Sequence, residues 1–138
     1  MLRALALIWQ LMWGLPQNVV GAVLYAYLFR RHRHGVFRTA YVTEWSFNSG
    51  LSLGAFIFVP RGMSKALVVH EYGHTIQSML LGPFYVPMIV IPSLVWAGLP
   101  VCTRFRQRKN YSYYRFFCER WANRLARRVT RERPIGWY

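Results

Sequence analysis

His70, Glu71 and His74 fall within five residues, in the run His70-Glu71-Tyr72-Gly73-His74. Two histidines four apart on a helix stack on one face, where both imidazoles can reach one metal ion. Glu71 is turned about 100° from His70 on such a helix. It can therefore stand beside the metal without ligating it, take a proton from a metal-activated water and later protonate a leaving amine. This H-E-x-x-H spacing is that of metallopeptidases, and the metal it implies is Zn2+. With four histidines and four glutamates in 138 residues, the pattern arises by chance in roughly 0.3% of such sequences. The plain alternative is a structural His/Glu cluster that holds no metal.

A third ligand is expected from elsewhere in the chain. There is no Asp, and the remaining acids are Glu44, Glu119 and Glu132. Glu44 falls in a segment of β-formers and Glu132 at the end of a basic helix, which leaves Glu119. On a wheel of 111–132, Tyr114, Cys118, Trp121, Ala122, Leu125 and Val129 form an apolar face and Arg120, Arg124, Arg127, Arg128 and Arg131 a basic one. Ser112, Glu119, Asn123, Ala126 and Thr130 lie between them. Small side chains there would let this helix approach the His70/His74 helix. Cys118 and the histidines of the 30–38 loop stay open as alternatives, and an Arg115–Glu119 surface pair is the bland reading.

The elements that must hold these groups point to a mainly α membrane protein of one domain, 1–138. Over half of the chain is hydrophobic, 17% is aromatic, and the formal charge is +14. So apolar and so basic a chain fits an anionic leaflet of a lipid bilayer better than nucleic acid, for which no base-reading motif is present. Residues 2–29 carry one charge, Arg3, and are long enough to cross a bilayer; a signal peptide is the competing reading. Pro16 should kink that helix. Gln10, Gly14, Gln17, Asn18 and Gly21 share a face that should turn towards protein. His32 and His34 sit in a basic loop, 30–38. Segment 36–59 reads as a β-hairpin turning at Asn48-Ser49-Gly50, with a short membrane helix over 45–60 as the alternative. Ser64 is the N-cap of a helix over 65–81 that ends at Gly82-Pro83. A broken apolar helix covers 84–100, interrupted by Pro87, Pro92 and Pro100, and a basic amphipathic helix spans 111–132. Cys102 and Cys118 read as free thiols.

Three apolar segments and the positive-inside rule predict an integral protein, of a bacterial inner membrane, with its N-terminus outside and C-terminus cytoplasmic. The site then lies near the cytoplasmic face. Strand Leu51 to Val59 is placed to take extended substrate by β-addition.

Val68-Val69-His70-Glu71-Tyr72-Gly73-His74-Thr75 resembles the active-site helix of membrane-embedded zinc peptidases of the site-2 protease type. The longer stretch with Gln77-Ser78, Gly82-Pro83, Ile91-Pro92-Ser93 and Trp121-Ala122-Asn123 is similar to small uncharacterised bacterial membrane proteins, as is Trp9-Gln10-Leu11 with Pro16-Gln17-Asn18. The resemblance implies His70 and His74 as ligands and Glu71 as base. Site-2 proteases take an Asp as third ligand, which this chain lacks. The gluzincin scheme, with a Glu from a later helix, suits Glu119, and it implies that Asn123, where that clan carries an Asp, orients a ligand histidine through its carbonyl oxygen. The expected function is thus a membrane-bound zinc metalloendopeptidase acting on a polypeptide substrate. Its rivals are a non-catalytic membrane protein with a structural or transport metal site, and a basic lipid-binding interaction protein. Substrate, cleaved bond and oligomeric state are not legible.

Overall fold

A computed structural model describes residues 1–137. Its elements in chain order are α1 (Leu2–Trp13), α2 (Leu15–Leu28), β1 (His34–Phe37), β2 (Ala40–Trp45), β3 (Leu51–Leu53), β4 (Phe56–Pro60), α3 (Lys65–Leu81), α4 (Ile91–Gly98), α5 (Pro100–Lys109) and α6 (Phe117–Thr130). A 3-10 turn at Gly82–Phe84 and a π-helical stretch at Val86–Val90 join α3 to α4, and a second 3-10 turn, Tyr113–Arg115, precedes α6.

The sheet overturns the hairpin expected over 36–59. Its order is β1-β2-β4-β3, with β1–β2 and β3–β4 antiparallel and β2–β4 parallel. Two short hairpins therefore lie side by side. Asn48-Ser49-Gly50 is part of the crossover between them, and the tight turn is at Gly54, whose φ of +65° suits glycine. β4 is interior because both its faces are apolar. Ile57 and Val59 pack with Ala40, Leu67 and Tyr72 on the α3 side. Phe58 packs with Leu28, Trp45 and Leu53 on the α2 side. This alternation is the two-residue period of a strand.

The expected mainly α membrane fold is likewise corrected. The chain is an α/β structure of six helices and a mixed four-stranded sheet, and among the described residues no single helix is long and apolar enough to span a membrane. The 2–29 run breaks at Gly14 into two helices. Pro16 has no amide hydrogen to continue the ladder, and Asn18 Nδ2 bridges the joint by donating to the carbonyls of Gln10 and Gly14, each at 2.8 Å. Gln10, Gln17, Asn18 and Gly21 do face inward. Helix 65–81 is α3 with those bounds, but it is the molecule's central helix, buried from Leu67 through Ser78 on most of its faces. The 84–100 run divides into the end of a 3-10 turn, the π stretch, α4 and the start of the basic α5, and the helical segments Val86–Gly98 and Pro100–Lys109 meet at 70°. None of the three expected crossings is a single spanning helix among the described residues; Val86–Gly98 and Pro100–Lys109 form a bent pair long and apolar enough only when taken together. The 111–132 helix begins only at Phe117.

Candidate metal centre

α3 and α6 cross in close contact because Gly73 faces Ala122. A Cβ at residue 73 would lie 2.1 Å from the Ala122 carbonyl oxygen. The buried side of α6 is Cys118, Glu119, Ala122, Asn123, Ala126 and Thr130. It is centred on the small-residue stripe and not on the bulkier apolar face, of which Val129 is half exposed. Small residues win this interface because they let the backbones approach, which carries Glu119 under the two histidines.

Glu119 Oε2 lies 3.0 Å from His70 Nε2 and 3.2 Å from His74 Nε2. Ligands of a tetrahedral zinc with bonds of about 2.05 Å sit about 3.3 Å apart. These two distances are close to that value, and the ligand atoms of His70, His74 and Glu119, all buried, lie within 4.8 Å of one another, a group that can hold a metal ion.

The supporting contacts fix which atoms face the metal. His70 Nδ1 donates to Asn123 Oδ1 at 2.7 Å, and His74 Nδ1 donates to Gln77 Oε1 at 2.7 Å. The amide nitrogens are committed elsewhere: Asn123 Nδ2 donates to the Ile135 carbonyl and Gln77 Nε2 to the Cys118 carbonyl. Each amide therefore turns its oxygen to an imidazole and fixes a proton on its Nδ1, so that each ring turns Nε2 to the shared site, where a deprotonated Nε2 would offer a lone pair to a metal. Ser93 Oγ and Tyr113 Oη donate to Glu119 Oε1 at 2.6 and 3.2 Å, leaving Oε2 for the metal.

Electrostatics follow from this packing. Burial opposes ionisation of Glu119, but the two imidazoles outweigh it and hold the carboxyl well below the usual range. Burial also disfavours charge on His74, yet the Glu119 carboxylate beside it raises its pKa to about 9. Glu71 is pushed up by burial, with the histidines partly offsetting that effect. Among the described residues no hydrogen bond or ion pair holds the Glu71 carboxylate. It lies against Gly50, where a Cβ would stand 2.0 Å from its Oε1.

A cavity of about 300 Å³ opens on this group. It is lined by His70, Glu71, His74 and Glu119, by the β2–β3 crossover and β3 from Ser49 to Ser52, and by Ile89, Val90, Ser93 and Leu94 of the π stretch and α4. β4 is paired on both sides, so of the Leu51 to Val59 segment only β3 is a free edge.

His70, Glu71, His74, Glu119 and Asn123 are thus gathered at one point. The other candidates are elsewhere. Cys118 hydrogen-bonds the Met88 carbonyl, and burial pushes its thiol up to about 11. His34 bridges Thr43 and the Phe29 carbonyl with its two ring nitrogens, so it is a structural group. Glu132 pairs with Lys65 at 2.6 Å, and Arg115 stacks on Tyr111 instead of pairing with Glu119. Gln77, Ser93 and Tyr113 were not foreseen. Gln77 had a signal, since it lies one helical turn after His74. Ser93 and Tyr113 reach Glu119 only through tertiary packing. Comparison with protein-family models, with curated protein sequences and with solved structures finds no match.

Proposed function

We propose that the chain is a zinc-dependent metallopeptidase. One observation carries this reading: three ligand atoms converge beside a cavity into which an unheld carboxylate, Glu71, also projects. Among the described residues no fourth His, Cys, Asp or Glu joins the group. A structural zinc site is closed by four protein ligands, whereas a hydrolytic one keeps a position for water. This favours a catalytic centre over the structural or transport site that the sequence left open.

His70, His74 and Glu119 would hold the metal. When bound, it supplies a Lewis acid that polarises the scissile carbonyl and acidifies a water molecule. The rest of the chemistry belongs to the chain. Glu71 takes one proton from the attacking water as its oxygen bonds to the carbonyl carbon, and delivers it to the amine as the C–N bond breaks. Burial raises the Glu71 pKa, which makes the group a better proton acceptor than an ordinary carboxylate. Asn123 and Gln77 keep the imidazoles in the right tautomer, and Ser93 and Tyr113 hold the carboxylate. The cavity-lining segment at Gly50 and Leu51, at the start of β3, is the stretch along which an extended peptide would lie, since the flanking Ser49 and Ser52 carbonyls already accept from Trp45 Nε1 at 2.8 Å and Tyr85 Oη at 3.0 Å. Leu51, Ile89, Val90 and Leu94 give the cavity an apolar lining suited to an apolar side chain next to the cleaved bond.

Glu71→Gln tests the reading. The variant should bind zinc as the wild type does and lose hydrolysis of an unstructured reporter polypeptide by at least about a hundredfold, the scale of a lost general base. Retained hydrolysis would remove Glu71 from the mechanism. Loss of zinc would make it a ligand or a folding determinant.

A further inference from the structure

We infer that the outer faces of α1, α2, α4 and α5 form one docking surface for an anionic lipid bilayer, which they enter from the side without crossing. The first observation is an inverted helix pattern. In α1 and the first half of α2 the protein-facing positions are Gln10, Gln17, Asn18 and Gly21, with apolar Leu28 buried only at the end of α2. The outward positions are apolar: Leu5, Ile8 and Met12 on α1 and Val19, Val20 and Val23 on α2 are each more than half exposed. Water would forfeit the apolar burial that these helices offer, so the pattern calls for an apolar medium outside. The surface continues across the chain. Trp13 lies against Gly82, where a Cβ would meet its ring at 2.4 Å. Beyond it come Phe84, Met88, Leu94 and Leu99, and Val101 at 74% exposure marks the 70° bend between the last two helices.

The second observation is charge, and it selects the occupant. Exposed basic groups border the apolar surface at two places, with Arg30, Arg31 and Arg33 after α2 and Arg104, Arg108 and Lys109 on α5, and further exposed arginines line α6. Apart from Glu71 and Glu119, which line the metal cavity, the acids are Glu44 and Glu132, and Glu132 is already paired with Lys65. A second copy would bring +14 against +14. Anionic headgroups around an apolar phase match both features, as they do for helices that lie in the interface. Leu94 joins this surface to the centre, for it is 59% exposed and also lines the metal cavity. The bilayer therefore sits at the cavity mouth, and on the peptidase reading the substrate is a polypeptide lying at the membrane surface. Docking itself needs neither metal nor hydrolysis.

The test is flotation of the full chain with vesicles of phosphatidylcholine and phosphatidylglycerol at about 2:1, and with phosphatidylcholine alone, at low and high salt. Wild type should float with the anionic vesicles, more weakly in salt, and poorly with the neutral ones. Val23→Glu with Val101→Glu places charge on the outward face, away from the cavity. It should cut partitioning by roughly tenfold or more, with zinc content and thermal unfolding unchanged. Should that double variant fail to fold, Val23→Ser with Val101→Ser is expected to weaken flotation several-fold. Equal flotation by wild type and a folded variant would overturn the inference. So would a wild type that ignores anionic vesicles while sedimenting as a dimer that the variant abolishes, since the face would then be covered by a second copy. Vesicle binding without peptidase activity would leave the docking surface standing and remove the substrate assignment.

Discussion

Zinc uptake should expel a proton from His74. The Glu119 carboxylate, at 3.2 Å, raises the His74 pKa to about 9 against the opposing effect of burial. The protonated imidazole has no lone pair for the metal on Nε2, because Nδ1 is already donating to Gln77. At pH 7 the ring is below its pKa, so most molecules must lose that proton before Nε2 can bind the metal. The sign follows. Apparent zinc affinity should rise with pH from 7 towards 9 and level off only above 9, once most of that proton is lost. Competition against a chromophoric chelator across pH 7–9.5 measures the slope. Titration calorimetry in buffers of different ionisation enthalpy counts the protons. The Glu71→Gln background removes the other raised carboxyl from the count, leaving about one proton released at pH 7. A flat affinity between pH 7 and 8.5 would refute the assignment of a protonated His74 bound to Glu119.

Two further outcomes test the supports of the centre. Asn123→Ala removes the acceptor for His70 Nδ1 and should weaken zinc binding by about 10- to 100-fold with little change in secondary structure, read by the same competition assay; unchanged affinity would mean that His70 needs no such partner. Gly73→Ala drives a methyl into the Ala122 carbonyl, 2.1 Å away, so α6 must move off α3. Denaturant unfolding should show a loss of about 1–3 kcal/mol, the usual cost of overpacking, together with weaker zinc binding.

The site was more legible than the fold. His70 and His74 announce themselves by spacing on one helix, and Ser64 and Gly82 bound that helix at the residues the sequence suggests. Glu119 could be reached because the chain has so few acids. The sheet could not be read so simply, because the parallel pairing of β2 with β4 is non-local and leaves only alternating apolar residues as a trace. Hydropathy also misassigned α3. A helix apolar on most faces can be packed inside protein or in lipid, and here β4, α6 and α1 enclose it. The long apolar run of 2–29 reflects the exposed apolar faces of α1 and α2, and neither helix by itself is long and apolar enough to cross a membrane.

The central claim is the metal centre of His70, His74 and Glu119. Metal analysis of the purified chain beside His74→Ala, both loaded with zinc and then desalted, tests it most directly. The account predicts one zinc per wild-type chain and almost none on a folded His74→Ala. A folded wild type that retains no zinc, or a His74→Ala that retains as much, would contradict it.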